Sequence, residues 1–296
     1  MKVLITGCNG QVGSCLVNLL QNKASVEICA VDRAELDITQ QDAVSHYVSS
    51  FQPDVIINAA AHTAVDKAEQ QIELSYAINR DGPKYLAQAA NEIGALMLHI
   101  STDYVFDGTK ETTYVETDLV NPQSIYGITK LAGEEAVAEV CPRHIILRTA
   151  WVFSEYGNNF VKTMLGLAKQ RDTLGIVADQ FGGPTYAGDI AAALIKMAQV
   201  ITDSNKLFDT TNYGIYHFSG LPHVSWCEFA QEIFNKAVDQ GLLVKSPDVK
   251  GIKTEEYPTP AKRPANSTLN TNKITTVFNI PASNWQLALN HLADYV

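Results

Sequence analysis

Apolar residues in the first half of the chain form short runs that alternate with stretches of helical spacing. The first run, Lys2–Thr6, reads KVLIT and predicts a strand, and the helix-spaced apolar positions of Gln11–Gln21 predict a helix. The same alternation predicts further elements up to residue 149: strands at Val26–Val31, Asp54–Asn58, Leu96–Ser101 and His144–Leu147, and helices at Gln40–Phe51, about Glu69–Ile93 and Tyr126–Val140. Apolar strands that alternate with helices are typical of a parallel sheet covered on both faces, so we predict an α/β, doubly wound fold.

The pattern changes after Thr149. Helical spacing now recurs between loops that contain glycine and proline, at Asn159–Lys169, Ala187–Val200, Trp226–Val238 and from about Asn284 to the end. We therefore predict a sheet domain over residues 1–150, to which a segment near residues 180–218 returns. Residues 151–296 are predicted to form mainly a smaller, mostly helical lobe that builds a pocket over the carboxyl edge of the sheet.

Composition excludes several classes of protein. The chain of 296 residues is 46% hydrophobic and 18% charged, which is ordinary for a globular protein. Its net charge is −10, and no cluster of lysine and arginine offers nucleic-acid phosphates a footprint. We predict no nucleic-acid partner.

The five cysteines and the apolar runs suggest the compartment. The cysteines are odd in number, scattered and without a C-x-x-C pair, which predicts buried thiols in a reducing compartment and no metal site. No apolar run approaches about 20 residues, and the N-terminus lacks the pattern of a signal peptide. We expect a cytoplasmic protein without a membrane partner.

A glycine-rich turn joins the first predicted strand to the first helix. Gly7, Gly10 and Gly13 are spaced G-x-x-G-x-x-G, and Asp32 follows 19 residues after Gly13 at the end of the second strand. Backbone without Cβ atoms can approach a pyrophosphate at a helix N-terminus, and an acid in this place can accept hydrogen bonds from an adenosine ribose. The sheet domain is thus predicted to be a Rossmann-type, dinucleotide-binding domain.

Arg33 leaves the form of the cofactor open. The carboxylate of Asp32 would repel a 2′-phosphate, whereas the neighbouring guanidinium would pair with one. Both NADPH and NADH are compatible with this pair.

Tyr126 and Lys130 form a Y-x-x-x-K motif on the helix that follows the fourth strand. Residues four apart lie on one helical face, so both side chains can point at one reaction centre, with Thr102 at the end of the fourth strand opposite them. A nearby ammonium and an oxidised nicotinamide ring would favour the phenolate of Tyr126 and bring its pKa towards working pH.

These motifs together resemble the short-chain dehydrogenase/reductase superfamily. Within it, the chain resembles the dTDP-4-dehydrorhamnose reductase family, an extended branch, almost from end to end. The segments that carry the resemblance are GCNGQVG at 7–13, NAAAHTAVDKAE at 58–69, STDYVFDG at 101–108, YGITKLAGE at 126–134, RTAWVF at 148–153, NFVKTML at 159–165, DQFGGPTYAGDIA at 179–191 and RPANSTL at 263–269.

The resemblance implies a role for individual residues. Thr102, Tyr126 and Lys130 would be the catalytic set, and Asp103 and Trp151 would touch the sugar. The cofactor contacts that motif and resemblance together predict are Gly7, Gly10, Gln11, Val12, Gly13, Asp32, Arg33, Asp37, Ile38, Ala61, His62, Thr63, Tyr126 and Lys130.

Two of these positions, and Arg263 beyond them, admit a second interpretation. His62 could serve to position the backbone, and Trp151 could be ordinary core. Arg263 could be a surface charge, although a guanidinium in a proline-flanked loop suits the substrate diphosphate better. Some members of the family are dimers held by Mg²⁺ between glutamates; here Ser14, rather than an acid, stands in the helix after Gly13, so the sequence leaves a homodimer open and departs from the pattern of this metal bridge.

The predicted activity is therefore NAD(P)H-dependent reduction of the C4 ketone of a dTDP-linked 4-keto sugar, dTDP-4-dehydro-L-rhamnose. Two alternatives are left open by the same residues. One is a sister reductase or epimerase for another nucleotide sugar. The other is a non-catalytic protein similar to the regulatory β subunit of methionine adenosyltransferase.

Overall fold

Six parallel strands form the central sheet of the computed structural model, which describes residues 1–203 and 208–296. The strands are β1 (Lys2–Thr6), β2 (Glu27–Val31), β3 (Val55–Asn58), β4 (Leu96–Thr102), β5 (His144–Thr149) and β10 (Gly214–His217). Their order across the sheet is β2-β1-β3-β4-β5-β10, and every neighbouring pair is parallel. The strand order reverses between β1 and β3, which is the place where open α/β sheets bind ligands at their carboxyl edge. The predicted doubly wound α/β fold is confirmed.

Helices cover both faces of this sheet. The α-helices are α1 (Gln11–Leu20), α2 (Gln41–Phe51), α3 (Val65–Ala68), α4 (Ile72–Tyr76), α5 (Gly82–Ile93), α6 (Ile125–Val140), α7 (Phe160–Ala168), α8 (Ala187–Thr202), α9 (Trp226–Asp239), α10 (Asn272–Phe278) and α11 (Trp285–Ala288). Val3 and Ile5 of β1 face the core shared with α1 and α8, whereas Leu4 between them faces the core shared with α2 and α5. Burial on both faces explains why the strands are apolar almost throughout.

One predicted helix is divided in the structure. Instead of a single helix over about Glu69–Ile93, the chain forms α4, a π-helical turn at Ala77–Asp81 and then α5. The wider turn turns Asn79 inward, where its amide oxygen accepts from the His62 N–H at 2.8 Å. The nitrogen of the Asn79 amide donates to the Thr129 hydroxyl of α6 at 3.1 Å. The π turn therefore ties the loop after β3 to the helix that carries the Y-x-x-x-K motif.

The second half contains short strands that the sequence pattern did not predict. They are β6 (Val152–Phe153), β7 (Thr173–Val177), β8 (Phe181–Gly182), β9 (Thr185–Tyr186), β11 (Val224–Ser225) and β12 (Asp248–Ile252). They form the pairs β6–β9, β7–β12 and β8–β11, and α7 and α9 pack beside them in a separate apolar core that includes Phe153 and Phe229.

The expectation of one helix from about Asn284 to the end is wrong in part. Only α11 is α-helical; Leu289–Tyr295 is a 3₁₀ segment interrupted at His291, whose φ of −125° and ψ of 45° are not helical. Other short 3₁₀ segments lie at Asp103–Val105, Thr210–Asn212 and Thr254–Glu256.

The chain returns to the sheet after residue 150, because α8 packs in the core of α1 and β10 pairs with β5. Residues 204–207, within the segment predicted to return, lie outside the described residues. The division into domains at residue 150 stays a prediction. Within the described residues, no helix combines the length and the apolar character needed to cross a membrane.

Candidate active site

A cavity of about 680 Å³ opens at the carboxyl edge of the sheet, above β1, β3, β4 and β5. Its wall brings together ten of the predicted site residues: Gly10, Gln11, Val12, Ala61, Thr63, Thr102, Asp103, Tyr126, Lys130 and Trp151. These residues are up to 141 positions apart in the sequence and meet because parallel strands present their carboxyl ends at one edge.

The predicted catalytic side chains come from two elements. Thr102 is the last residue of β4, and Tyr126 and Lys130 lie one turn apart on α6. The helix begins where the Ser124 hydroxyl accepts from the Gly127 N–H at 3.2 Å, so the N-cap places Tyr126 in the first turn, beside the cavity. The ring of Tyr104 meets the ring of Tyr126 edge-on, with centroids 5.4 Å apart, which restricts the phenol.

Tyr126 holds its proton firmly in this structure. Burial raises the pKa of Tyr126 to about 12, the negative charge of Asp103 adds to the rise, and a hydrogen bond with Thr102 opposes it. The predicted lowering by Lys130 is absent, because burial dominates and the Lys130 nitrogen bonds to other groups. A phenol that remains protonated at neutral pH can serve as a proton donor.

Lys130 is almost fully buried, with 1% of its surface exposed. Its Nζ donates to the Ile100 carbonyl at 2.7 Å and lies 3.3 Å from Nε2 of His99. Burial lowers the pKa of Lys130 to about 8, although the nearby Glu134 carboxylate opposes the change. The amine is thus close to losing its proton near neutral pH.

Asp103 is a buried carboxyl group next to Thr102. The Thr102 hydroxyl donates to Oδ1 of Asp103 at 2.9 Å, whereas Oδ2 is buried without a hydrogen-bond partner in the described part of the chain. Burial raises the pKa of Asp103 to about 6, and the hydrogen bond from Thr102 opposes the rise. A polar atom left unpaired in a cavity wall is suited to bind a polar ligand.

The glycine turn has the close backbone packing that a dinucleotide site requires. A Cβ on Gly13 would lie 2.1 Å from the Gly7 carbonyl oxygen, and one on Gly7, whose φ is +72°, would lie 2.6 Å from the Ala60 nitrogen. Gly10 is the N-cap of α1, with no side chain bonded to the helix end and no acid in its first turn. The N–H groups of this helix end are therefore able to bind an anion.

A second cavity, of about 270 Å³, continues from the first along the glycine turn. Gly10, Ala59, Ala60 and Ala61 line both cavities. The wall of the second also contains five predicted cofactor residues, Gly7, Asp32, Arg33, Asp37 and Ile38. Two linked cavities on either side of a glycine turn fit an extended dinucleotide.

Asp32 and Arg33 differ in how firmly they are held. Asp32 accepts from the Asn9 amide and from the Ala34 N–H, both at 2.7 Å. The Arg33 side chain is 76% exposed, and among the described residues its only side-chain contact is one of 3.4 Å with Asp37. The carboxylate is thus fixed at the end of β2, while the guanidinium is free to reorient.

Two predicted cofactor residues line neither cavity. Gly13 is the third residue of α1, where its role is the close approach to Gly7. The His62 ring is hydrogen-bonded to the Ser75 hydroxyl at 2.9 Å, and its backbone N–H is held by Asn79. The structure thus places His62 as a support for the loop between Ala61 and Thr63.

Trp151 occupies a strained backbone position at the mouth of the site, with a φ of +48°. Its ring stacks on Trp226 with centroids 3.5 Å apart and an interplanar angle of 9°. A Cβ on Gly182 would lie 2.4 Å from Cε2 of Trp151, so the indole also packs closely against the Gly182 backbone. Sequence reasoning missed Trp226, because nothing local distinguishes it from a core aromatic residue at a helix start.

Arg263 lies beyond Tyr104 in a third cavity of about 500 Å³, and Tyr104 lines both this cavity and the first. The Arg263 guanidinium pairs with Asp66 through two hydrogen bonds of 3.0 and 2.9 Å. This pair holds the planar cation at the cavity wall, and Asp66 is a second residue that the sequence did not identify.

Comparisons with known proteins agree along the whole chain. The family model described as RmlD substrate binding domain matches residues 1–296. A dTDP-4-dehydrorhamnose reductase from Aggregatibacter actinomycetemcomitans is 52% identical over 294 residues, which cover 99% of each chain. A crystal structure of a dTDP-4-dehydrorhamnose reductase from Clostridium acetobutylicum superposes with a TM-score of 0.90 at 44% identity, covering 99% of both chains. That of the Bacillus anthracis reductase in complex with NADP gives a TM-score of 0.89 at 37% identity, covering 100% of this chain and 99% of that one.

Proposed function

The chain belongs to the RmlD substrate binding domain family, and we propose that it reduces the C4 ketone of dTDP-4-dehydro-L-rhamnose to dTDP-L-rhamnose with NADPH or NADH. Curated relatives that are similar to it over almost its whole length are dTDP-4-dehydrorhamnose reductases. The main support is that the glycine turn and the side chains of Thr102, Tyr126 and Lys130 meet in one cavity.

The residues present fit a nicotinamide dinucleotide. The N-terminus of α1, with Gly10, Gln11 and Val12, would hold the pyrophosphate, and Asp32 would accept hydrogen bonds from the adenosine ribose. Around the adenine and its ribose we place Gly7, Arg33, Asp37 and Ile38, and near the nicotinamide Ala61 and Thr63. When bound, the nicotinamide supplies the hydride.

Tyr126 is the proposed proton donor. Because its pKa is raised to about 12, the phenol remains protonated until a strongly basic oxygen develops on the sugar. Thr102, held by the Tyr104 N–H at 3.2 Å, orients the carbonyl oxygen. Lys130 lies one turn from Tyr126, where it would hold the nicotinamide ribose and stabilise the phenolate left behind.

The proposed substrate contacts extend from the first cavity into the third. Asp103, with its unpaired oxygen, would accept a sugar hydroxyl, and the flat ring of Trp151 would pack on the sugar. Arg263 would bind the diphosphate, since its guanidinium is already oriented by Asp66.

The direct test is loss of nicotinamide absorbance with enzymatically prepared dTDP-4-dehydrorhamnose. We expect steady consumption by the natural protein, and a loss of 10²-fold or more in kcat for Tyr126→Phe, which is the order of magnitude of a lost general acid. Cofactor affinity, measured by NADPH fluorescence, should remain within about threefold, because only the hydroxyl is removed.

Tyr85→Phe is the matched control, because Tyr85 on α5 packs at the edge of the core between α5 and the sheet and lines none of the three cavities, so turnover should be unchanged. Near-normal turnover by Tyr126→Phe would show that the proton comes from another group. Absence of turnover by the natural protein with either cofactor would contradict the proposed reaction itself.

The proposed compartment is the cytoplasm, which supplies both nicotinamide cofactors. It is supported by the five cysteines, all of which are free thiols, as expected for a reducing environment.

A further inference from the structure

A line of buried polar side chains runs through the sheet beneath Lys130. It begins with the Thr6 hydroxyl of β1, which donates to Oδ1 of Asn58 on β3 at 2.7 Å. Nδ2 of Asn58 lies 3.0 Å from Nδ1 of His99 on β4, and Nε2 of His99 lies 3.3 Å from Nζ of Lys130. Asn58 and His99 have no exposed surface, and the proposed reaction uses neither of them.

The orientation of the Asn58 amide is fixed by a backbone group. The Ala60 N–H donates to Oδ1 of Asn58 at 3.1 Å, and a backbone N–H can only donate. The oxygen of the amide must therefore face Ala60 and Thr6, and the NH₂ group must face His99. Nδ1 of His99 consequently accepts a hydrogen bond from Asn58.

This arrangement determines the tautomer of His99. An imidazole nitrogen that accepts a hydrogen bond carries no proton, so the neutral ring has its hydrogen on Nε2. That N–H points at Nζ of Lys130. If Lys130 is a neutral amine, its lone pair can accept this hydrogen bond. If Lys130 is an ammonium, it has no lone pair, and one of its three N–H groups would face the His99 N–H, so that two donors would meet.

The charges around the pair leave the ring neutral. Burial lowers the pKa of His99 well below its usual range, and Lys130 and His144 act in the same direction. Glu134 favours the charged form of Lys130, but its carboxylate is already bound by Arg148 of β5 in a buried pair of 2.6 Å. The remaining bond of Nζ to the Ile100 carbonyl is compatible with either protonation state of Lys130.

We propose that Asn58 and His99 are positioning residues for Lys130: Asn58 fixes His99 as the Nε2–H tautomer, and this N–H supports Lys130 as a neutral amine. The amine is the state that Lys130 reaches after its Nζ–H proton has moved to the Tyr126 phenolate oxygen, with the electron pair left on nitrogen. His99 thus sets how readily the site releases this proton. The part of Lys130 in turnover rests on the proposed function, whereas the tautomer does not.

The tautomer can be read directly by ¹⁵N NMR of the ring nitrogens in the cofactor-free protein labelled at histidine, with His99→Gln identifying the resonance. We expect Nε2 of His99 protonated and Nδ1 bare, without change between pH 6 and 9. A proton on Nδ1, or a doubly protonated ring, would overturn the proposal, and this measurement decides it even where a variant below does not fold.

Asn58→Asp tests the consequence for Lys130. A carboxylate accepts where the amide donated, so the ring hydrogen moves to Nδ1 and Nε2 becomes an acceptor for an ammonium. We expect the ring resonances to exchange roles, and the alkaline limb of kcat for keto-sugar reduction to move up by roughly one pH unit, with KM for the cofactor changed less than kcat.

Thr6→Val is the matched control, because it removes the other bond to the same Asn58 oxygen and leaves the Ala60 N–H to orient the amide. It should keep the natural tautomer and the natural pH profile. An alkaline limb that stays in place in Asn58→Asp despite an exchanged tautomer would contradict the role of His99. If the natural protein reduces no keto sugar, the proposed function fails, while the tautomer measurement still stands.

Discussion

Asp103 brings a carboxylate into the wall of the candidate site, with 2% of its surface exposed. Its pKa is raised from 3.8 to about 6 because burial disfavours the charged form. A raised pKa means that the folded state binds the proton more tightly than the unfolded chain. The stabilising contribution is therefore complete below about pH 4 and is lost as the pH rises through 6.

Asp103→Asn should remove this pH dependence, because the amide keeps the shape of the carboxyl group and has no charge. The free energy of unfolding of the variant minus that of the natural protein should rise by about 2.5 kcal/mol between pH 4 and pH 7.5, which is most of the about 3 kcal/mol equivalent to the whole pKa difference. Urea unfolding at four pH values measures it.

Asp107→Asn is a control in which the pKa shift of the replaced carboxyl group has the opposite sign. The Asp107 carboxylate accepts from Thr109, Tyr114 and Asn121, and its pKa is lowered to about 2, so its stabilising contribution grows as the pH rises. The two variants should thus deviate with opposite sign. If the difference in the free energy of unfolding between Asp103→Asn and the natural protein did not change with pH, burial would not destabilise the charged form of Asp103.

At the scale of residues, sequence reasoning found the side chains whose relation is local. Tyr126 and Lys130 share a helical face, and Thr102 ends the strand before them, so their meeting could be predicted. Trp226 and His99 could not be found in this way. Each acts through a partner on a distant element, Trp151 and Asn58 respectively, and no spacing rule relates such pairs.

At the scale of elements, the turn between β1 and α1 depends on the absence of side chains. Gly13 approaches Gly7 so closely that a Cβ would overlap the carbonyl oxygen at 2.1 Å and Cα of Cys8 at 2.8 Å. Both are backbone atoms, so the added methyl group could be accommodated only if the turn itself moved.

Gly13→Ala is expected to lower NADPH affinity at least tenfold and to reduce the free energy of unfolding by about 2 kcal/mol, the usual range for overpacking. Fluorescence titration and urea unfolding test both effects. Gly166→Ala in α7 is the control, because its Cβ would meet no atom within 4 Å, and there alanine should stabilise the helix by up to about 1 kcal/mol. Unchanged affinity in Gly13→Ala would contradict the proposed place of the pyrophosphate.

The other elements show where periodicity is a sufficient guide. β1 to β5 lie within two residues of their predicted ends, because strands buried on both faces give clear apolar runs. The π turn at Ala77–Asp81 was missed, since one extra residue per turn is required by the bonds of Asn79 to His62 and Thr129 and not by hydrophobic spacing.

At the scale of the whole molecule, the site is formed by parts of the chain that are far apart in sequence. Gln11 at the start of α1 accepts from Ser154 at 3.1 Å and from Asn159 at 3.0 Å, which joins the cofactor turn to the second half. The short strands of that half, such as β7 paired with β12, depend on long-range partners, and for this reason the sequence pattern did not predict them.

The hydrogen bonds of Gln11 hold the predicted cofactor site beside the predicted sugar site, and this arrangement supports hydride transfer from the cofactor to the sugar. The most direct test uses NADPH carrying deuterium at both positions of the reactive nicotinamide carbon, with dTDP-4-dehydrorhamnose as the acceptor. We expect dTDP-rhamnose that contains one deuterium, bonded to C4 of the sugar, as located by NMR. Cofactor consumption without deuterium at C4 would contradict this hydride transfer.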